Sequence, residues 1–357
     1  MRSPVPVPAL LLVAAAVVSD LVPGLYDVFT IHVVEWVAVV ALIVILFNGG
    51  MDLGWGRARA AAGPTLSLGL IGTFLTAGLA TVFAHVALGI DWTVAGLVGA
   101  AVAPTDPAVT FSVLGGRELK GQSKTILEAE AGVNDPAGIA LMLGVIELAT
   151  HDDATAWVIG REFLVQMVVG AAFGLLAARL LSHRLRHPVL ALAVAGALYG
   201  VTALAHGSGF LAVFLLGMWM GDAHPPSHRA ERFHTSLASV AEVVVFVALG
   251  LTIDLGALST RDWLEGLAIA AALGFAIRPL VVAVTLARAG LDRSEKAFLA
   301  WSGLKGAVPI LLAAFTLLHH VDDGDRIYGL VFVVVLFSIV VQGTFVPTVA
   351  RRLRVYT

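Results

Sequence analysis

The chain has 357 residues, 59% hydrophobic and only 13% charged, with a net charge of −3 and no cysteine. A charged share about half the roughly 25% usual for soluble domains, with a mean hydropathy of +0.92, excludes an ordinary soluble protein. The absence of cysteine excludes disulfides, thiol catalysis and thiolate metal sites and leaves the redox compartment undetermined.

Apolar runs near the roughly 20 residues that cross a bilayer as a helix recur along the whole sequence. Strict alternation over segments of about 10 residues, the mark of a membrane β-barrel, does not occur. The predicted fold class is an all-α polytopic membrane protein with twelve spans. They lie near 5–22, 31–50, 63–87, 92–114, 125–149, 157–181, 188–205, 208–221, 235–252, 263–288, 296–318 and 327–349. The start, "MRSPVPVPALLLVAAAVVSD", has the outline of a signal peptide, but reads more simply as the first membrane helix. No soluble regulatory domain is expected after the closing "RRLRVYT".

The second span closes on "MDLG" at 51–54. The fourth carries "APTDPAVTF", in which Pro104 and Pro107 bracket Thr105 and Asp106. Proline removes a backbone donor and frees carbonyls, and irregular backbone at membrane depth is tolerated only inside protein or beside a water-filled cavity. Freed carbonyls, a hydroxyl and a carboxylate suit a hard monovalent cation. The plainer reading, Asp106 capping the second half-helix, is compatible with that role.

The fifth span, "LEAEAGVNDPAGIALMLGVIEL", holds Glu128, Glu130, Asn134 and Asp135. Ionisable residues inside a span are costly and point to function. Asp135 is nearest the middle of the span. Glu130 and Asn134, four apart, share a face and can hydrogen-bond, either as supports of an ion site or as a structural polar network. Glu128, nearer the basic loop ending at Lys124, reads as interfacial.

Farther along, His224 and His228 in "HPPSH" are spaced like helical metal ligands, but the prolines place them in a loop. The ninth span carries Glu242 and closes on "IDLG" at 253–256. The tenth holds Arg278 before Pro279, and the eleventh holds Lys305 in "WSGLKGAVPILLA". Buried cations demand partners. Lys305 is the expected counter-charge for Glu130 or Asp106, and Arg278 for freed carbonyls or another carboxylate. "DDGD" at 322–325 reads as a solvated turn.

Sixteen Lys and Arg residues, from Arg57 to Arg354, fall in loops on one side, against Arg161, Arg261 and Arg326 on the other. The positive-inside rule then puts both termini in the cytoplasm. The two "DLG" motifs lie 202 residues and seven spans apart, and the same offset carries the Pro-rich fourth span onto the Gly-rich eleventh. An odd number of spans between copies makes them inverted, the mark of a secondary transporter. The approximate repeats are 1–181 and 208–357, joined by a linking helix at 188–205, within one transporter domain.

Together "LFNGGMDL", "APTDPAVTFSVL", "LEAEAGVNDPAGIAL", "GSGFLAVFLLGMWMG", "FVALGLTIDLGAL" and "FLAWSGLKGAVPILLA" resemble the NhaP-type cation/proton antiporters. These are relatives of the sodium/proton exchangers, and the nearest likeness is to the bacterial potassium/proton branch. The resemblance implies an inverted-repeat fold with two crossed, unwound helices and a homodimer in the plasma membrane. It implies that Asp135 binds cation and proton alternately, with Thr105, Asp106, Glu130 and Asn134 as ligands or supports. An Asn-Asp pair accompanies electroneutral exchange in that family. The cargo is then Na+, K+ or Li+ against H+, with no cofactor, no enzymatic activity and no nucleic-acid partner.

Three departures stand out. Ala131 replaces a serine usual after the glutamate. Lys305 replaces a usual arginine, keeping the charge but losing the bidentate fork. "VPVPALLLVAAA" looks like the second of thirteen family helices, so the first is expected to be missing. The rival readings are a channel or ion sensor of the same fold and an intramembrane aspartyl protease using Asp106 and Asp135. Neither aspartate stands in the Tyr-Asp or Gly-x-Gly-Asp motif of such proteases, since Thr105 precedes Asp106 and Asn134 precedes Asp135.

Overall fold

The computed structural model describes all residues except 1–5, 23–28, 115–118, 152–154, 156, 182–184, 186, 224–227 and 357. Among the described residues the chain is helical, and its only β-pairing is an isolated bridge between Leu119 and Tyr356. Among those residues, fourteen helices account for the twelve spans. The first eight are α1 (Val7–Leu21), α2 (Ile31–Leu53), α3 (Ala62–Leu88), α4 (Trp92–Ala101), α5 (Pro107–Leu114), α6 (Ser123–Thr150), α7 (Trp157–Leu181) and α8 (Pro188–Leu204). The rest are α9 (Gly209–Ala223), α10 (His228–Gly250), α11 (Thr260–Thr285), α12 (Arg293–Trp301), α13 (Ala307–Leu318) and α14 (Gly324–Arg352). A short helix, Trp55–Ala60, follows α2.

Among the described residues, seven helices are long and apolar enough to cross a membrane, and five shorter ones are apolar. The fourth and eleventh predicted spans are each broken into two half-helices, α4 with α5 and α12 with α13. The breaks fall at 102–106 and 302–306, where prolines, glycines and polar residues interrupt the apolar run. One predicted boundary is well off: the ninth span, expected from 235, begins as a helix at His228. Its first turns, "HRAERFHT", are polar and extend the helix beyond its apolar stretch. His228 therefore opens α10 rather than lying in a loop, while 224–227 and the His228 side chain lie outside the described residues.

Large apolar side chains such as Trp36, Val86, Trp157 and Leu204 stay exposed on outward faces, as expected of surfaces meeting lipid. This is an integral membrane protein. Between helices, where lipid is as apolar as leucine, close packing of small residues does the work. Gly217 and Gly221 of α9 lie on the backbone of α2 at Phe47 and Met51, and Gly50 of α2 lies on α9 in return. A Cβ at any of the three would press into the facing main chain. Of the seven long helices α6 is the most enclosed, followed by α14.

Candidate functional site

The two broken spans meet in their unwound segments. Asp106 N–H donates to the Leu304 carbonyl at 2.8 Å, and the Thr110 hydroxyl to the Ser302 carbonyl at 3.1 Å. The Asp106 carboxylate accepts from Ala108 N–H at 2.9 Å, capping α5 as expected. It also lies against Gly306, at the start of α13, where a Cβ would overlap it. One half-buried carboxylate thus sits at two half-helix N-termini, whose unpaired N–H groups favour negative charge.

Helix α6 passes beside this crossing. Its Gly138 lies against the Pro104 ring, so closely that a Cβ there would collide with it. That approach lets Thr105, on the unwound segment, reach α6. Asn134 Nδ2 donates to Thr105 Oγ1 at 2.8 Å, and Thr105 Oγ1 donates to Glu130 Oε1 at 3.1 Å. Glu130 and Asn134 are therefore joined through the threonine, not directly as their spacing suggested. With its proton and one lone pair engaged, the hydroxyl keeps a second lone pair for a ligand.

The two buried cations exchange the duties expected of them. Arg278, not Lys305, pairs with Glu130: Nη1 to Oε1 at 2.6 Å and Nη2 to Oε2 at 2.9 Å. Its Nε lies 3.4 Å from the Leu299 carbonyl in the last turn of α12. The planar fork matches a carboxylate edge-on, and a π-helical stretch, Leu273–Ile277, leads into Arg278. Gly303 leaves room for the guanidinium, since a Cβ there would run into it. Lys305 Nζ instead donates to the Ala103 and Pro104 carbonyls, each at 3.0 Å. These are the carbonyls that the proline break leaves without helical partners, and a compact ammonium with three donors suits them better than a fork.

The expected contact of Lys305 with Glu130 or Asp106 is corrected accordingly. The fork thought lost at Lys305 is supplied by Arg278.

A further support comes from α14. Lys305 N–H donates to Ser338 Oγ at 2.9 Å, and Ser338 donates to Gln342 Oε1 at 3.0 Å. Both residues lie on a π-helical turn of α14. Two polar residues four apart in an apolar span were the available signal.

Asp135 is 6% exposed, and its Oδ1 has no hydrogen-bond partner; neither has Asn134 Oδ1. These unpaired buried oxygens sit on successive residues of α6 beside Thr105. Ala131 is buried one turn before Asp135, on the same face of the helix. Glu128 lies apart, half-buried, with Lys124 Nζ at 3.6 Å. Glu242 is also apart, on α10, with an unpaired buried Oε1 and Asp106 within electrostatic reach. Among the described residues no group of three His, Cys, Asp or Glu could hold a metal ion. The crossing is built of single carboxylates, hydroxyls and carbonyls, which suits weakly held monovalent cations better than a tightly chelated divalent metal.

The family model "Sodium/hydrogen exchanger, transmembrane" matches residues 1–352. The chain is 35% identical over 326 residues to a K(+)/H(+) antiporter NhaP of Alkalimonas amylolytica, covering 88% of this chain and 57% of that protein. It is 33% identical over 332 residues to K(+)/H(+) antiporter NhaP2 of Shewanella sp. (strain ANA-3), with the same coverage. The chain thus spans little more than half the length of these relatives. A structure of the sodium proton antiporter MjNhaP1 from Methanocaldococcus jannaschii superposes with a TM-score of 0.82 at 23% identity. That match covers 97% of this chain and 92% of the other, and it establishes a shared fold.

Proposed function

Since the chain belongs to the sodium/hydrogen exchanger family, we propose that it is a secondary antiporter exchanging a monovalent cation for a proton, with Asp135 holding each in turn. The observation that carries this reading is the unpaired, buried Asp135 oxygen beside the crossed half-helices. A bare carboxylate out of water is costly, so either a proton or a cation must neutralise it. The two compete for the same oxygens, and one must leave before the other binds.

Formal charges at the crossing support a one-for-one exchange. Asp106, Glu130 and Asp135 supply three negative charges, and Arg278 and Lys305 two positive ones, leaving one. Arg278 is committed to Glu130 and Lys305 to backbone carbonyls, so neither contacts Asp135. One monovalent cation or one proton closes the balance, and the exchange is electroneutral. Asn134 Oδ1 and the free lone pair of Thr105 complete the cation's shell, while Asp106 holds the half-helices in place.

The cargo we favour is potassium or sodium, the ions in the names of the relatives; lithium fits the same donors. The same reading has inverted repeats over 1–181 and 208–357, a homodimer in the plasma membrane with its termini in the cytoplasm, and no cofactor.

The test is reconstitution into liposomes carrying a preset pH gradient. Addition of potassium or sodium should dissipate the gradient with saturation kinetics and without changing membrane potential. Non-saturating flux that sets up a potential would instead identify a channel of this fold.

A further inference from the structure

A cavity of about 320 Å³ lies on the far side of Asp135 from the basic loops, lined in part by Ile139 and Leu143 of α6. Ile139 follows Asp135 by one helical turn, about 6 Å along the axis. Phe315, Leu318 and His319 at the end of α13 form one wall. Glu35 of α2, Tyr199 and His206 at the end of α8, and Glu162 and Gln166 of α7 form the others. The cavity therefore lies where α6 and α13, which carry the crossing, meet α2, α7, α8 and the start of α9.

Its lining is more polar than a gap between apolar helices requires. Glu35 is half-buried and within electrostatic reach of the neutral Tyr199 phenol. Gln166 is 7% exposed, lines the cavity, and its side-chain amide has no hydrogen-bond partner among the described residues. Its polar atoms are therefore left to face the cavity, where water or a cation can meet them. Glu162 is partly offset by Arg161 Nη2 at 3.1 Å, an arginine that also lies 3.8 Å from Glu147. Two helix C-termini, those of α8 and α13, add partial negative charge at the same wall. The N-terminus of α9 opposes them in part, with one of its N–H groups, that of Leu211, donating to the Ser208 hydroxyl at 3.2 Å.

We propose that this cavity is a second cation site, a vestibule in which a partly hydrated monovalent cation is held by Glu35 and the Gln166 carbonyl before it passes Ile139 to Asp135. Its role as a waiting site rests on the exchange reading; its ability to bind a cation does not. A cleft lined by one sign of charge, with low-dielectric walls, raises the local counter-ion concentration about ten-fold or more. The apolar step at Ile139 and Leu143 keeps the two sites distinct.

The experiment has two arms. Thallium(I) binding is measured by calorimetry on purified full-length Asp135→Asn protein, in which the inner carboxylate is gone. Residual binding of one ion is expected, lost when Glu35→Gln is added and restored by Glu35→Asp. In liposomes, Glu35→Gln alone should raise the apparent KM for the cation about five-fold at low ionic strength, fading as salt screens the charge, with turnover at saturation retained. No residual binding in Asp135→Asn, or residual binding indifferent to Glu35, overturns the vestibule site. Absence of exchange by the unmodified protein overturns the antiport reading while leaving the binding arm to decide this one.

Discussion

Glu130 and Arg278 sit at 1% and 5% exposure and meet through two hydrogen bonds of 2.6 and 2.9 Å. Glu130→Gln keeps the shape but removes the charge. It leaves the guanidinium buried with a neutral amide, the 3.4 Å contact to Leu299 O and, among the described residues, no other acceptor. Breaking one side of such a buried pair costs about 3–5 kcal/mol, because the remaining charge is uncompensated. At about 2 °C per kcal/mol for a large chain, the thermal midpoint in detergent should fall by about 6–10 °C. The double variant Glu130→Gln/Arg278→Met removes both charges and should recover most of that loss. A single variant within 1 °C of the parent, or a double variant as unstable as the two single losses summed, would refute the pairing. The second result would equally remove the charge count on which one-for-one exchange rests.

The other expectations follow from the same geometry. Lys305→Met leaves the Ala103 and Pro104 carbonyls without a donor, at about 1–3 kcal/mol each; the thermal midpoint should drop, and an unchanged midpoint would place the ammonium elsewhere. Gly306→Ala puts a methyl into the space of the Asp106 carboxylate and should cut exchange about ten-fold or more for a stability loss of about 1–3 kcal/mol. Full activity in that variant would mean the half-helix junction is not where the ion is handled. Ala131→Ser adds a hydroxyl one turn from Asp135 and should lower the apparent KM for the cation several-fold in liposomes. An unchanged KM would show that this face of α6 does not meet the ion.

The spans were legible because each is a local run of apolar side chains long enough to cross a bilayer, and length and hydropathy are local properties. The break in the fourth span was legible for the same reason, since Pro104 and Pro107 announce it. The start of α10 was not, because "HRAERFHT" is helical without being apolar, and hydropathy marks burial in lipid rather than helix. The acids and hydroxyls of the crossing could be picked out, being costly where they lie.

Their partners could not. Arg278 meets Glu130 from 148 positions away, and which of two cations takes the carboxylate depends on the opening at Gly303 and the reach of each side chain. The Glu130 and Asn134 spacing suggested a bond along the helix, and only the approach of Pro104 to Gly138 shows that Thr105 stands between them. Gln166 gave no local sign of its position, because its significance lies in walls contributed by five other helices.

If one carboxylate, Asp135, carries both cargoes, cation binding must displace a proton from it. Protons released when cation is added to the purified, weakly buffered protein can be counted. About one proton should be released per cation bound, with release lost in Asp135→Asn. Cation binding at the crossing without proton release, or release that persists in Asp135→Asn, would contradict it.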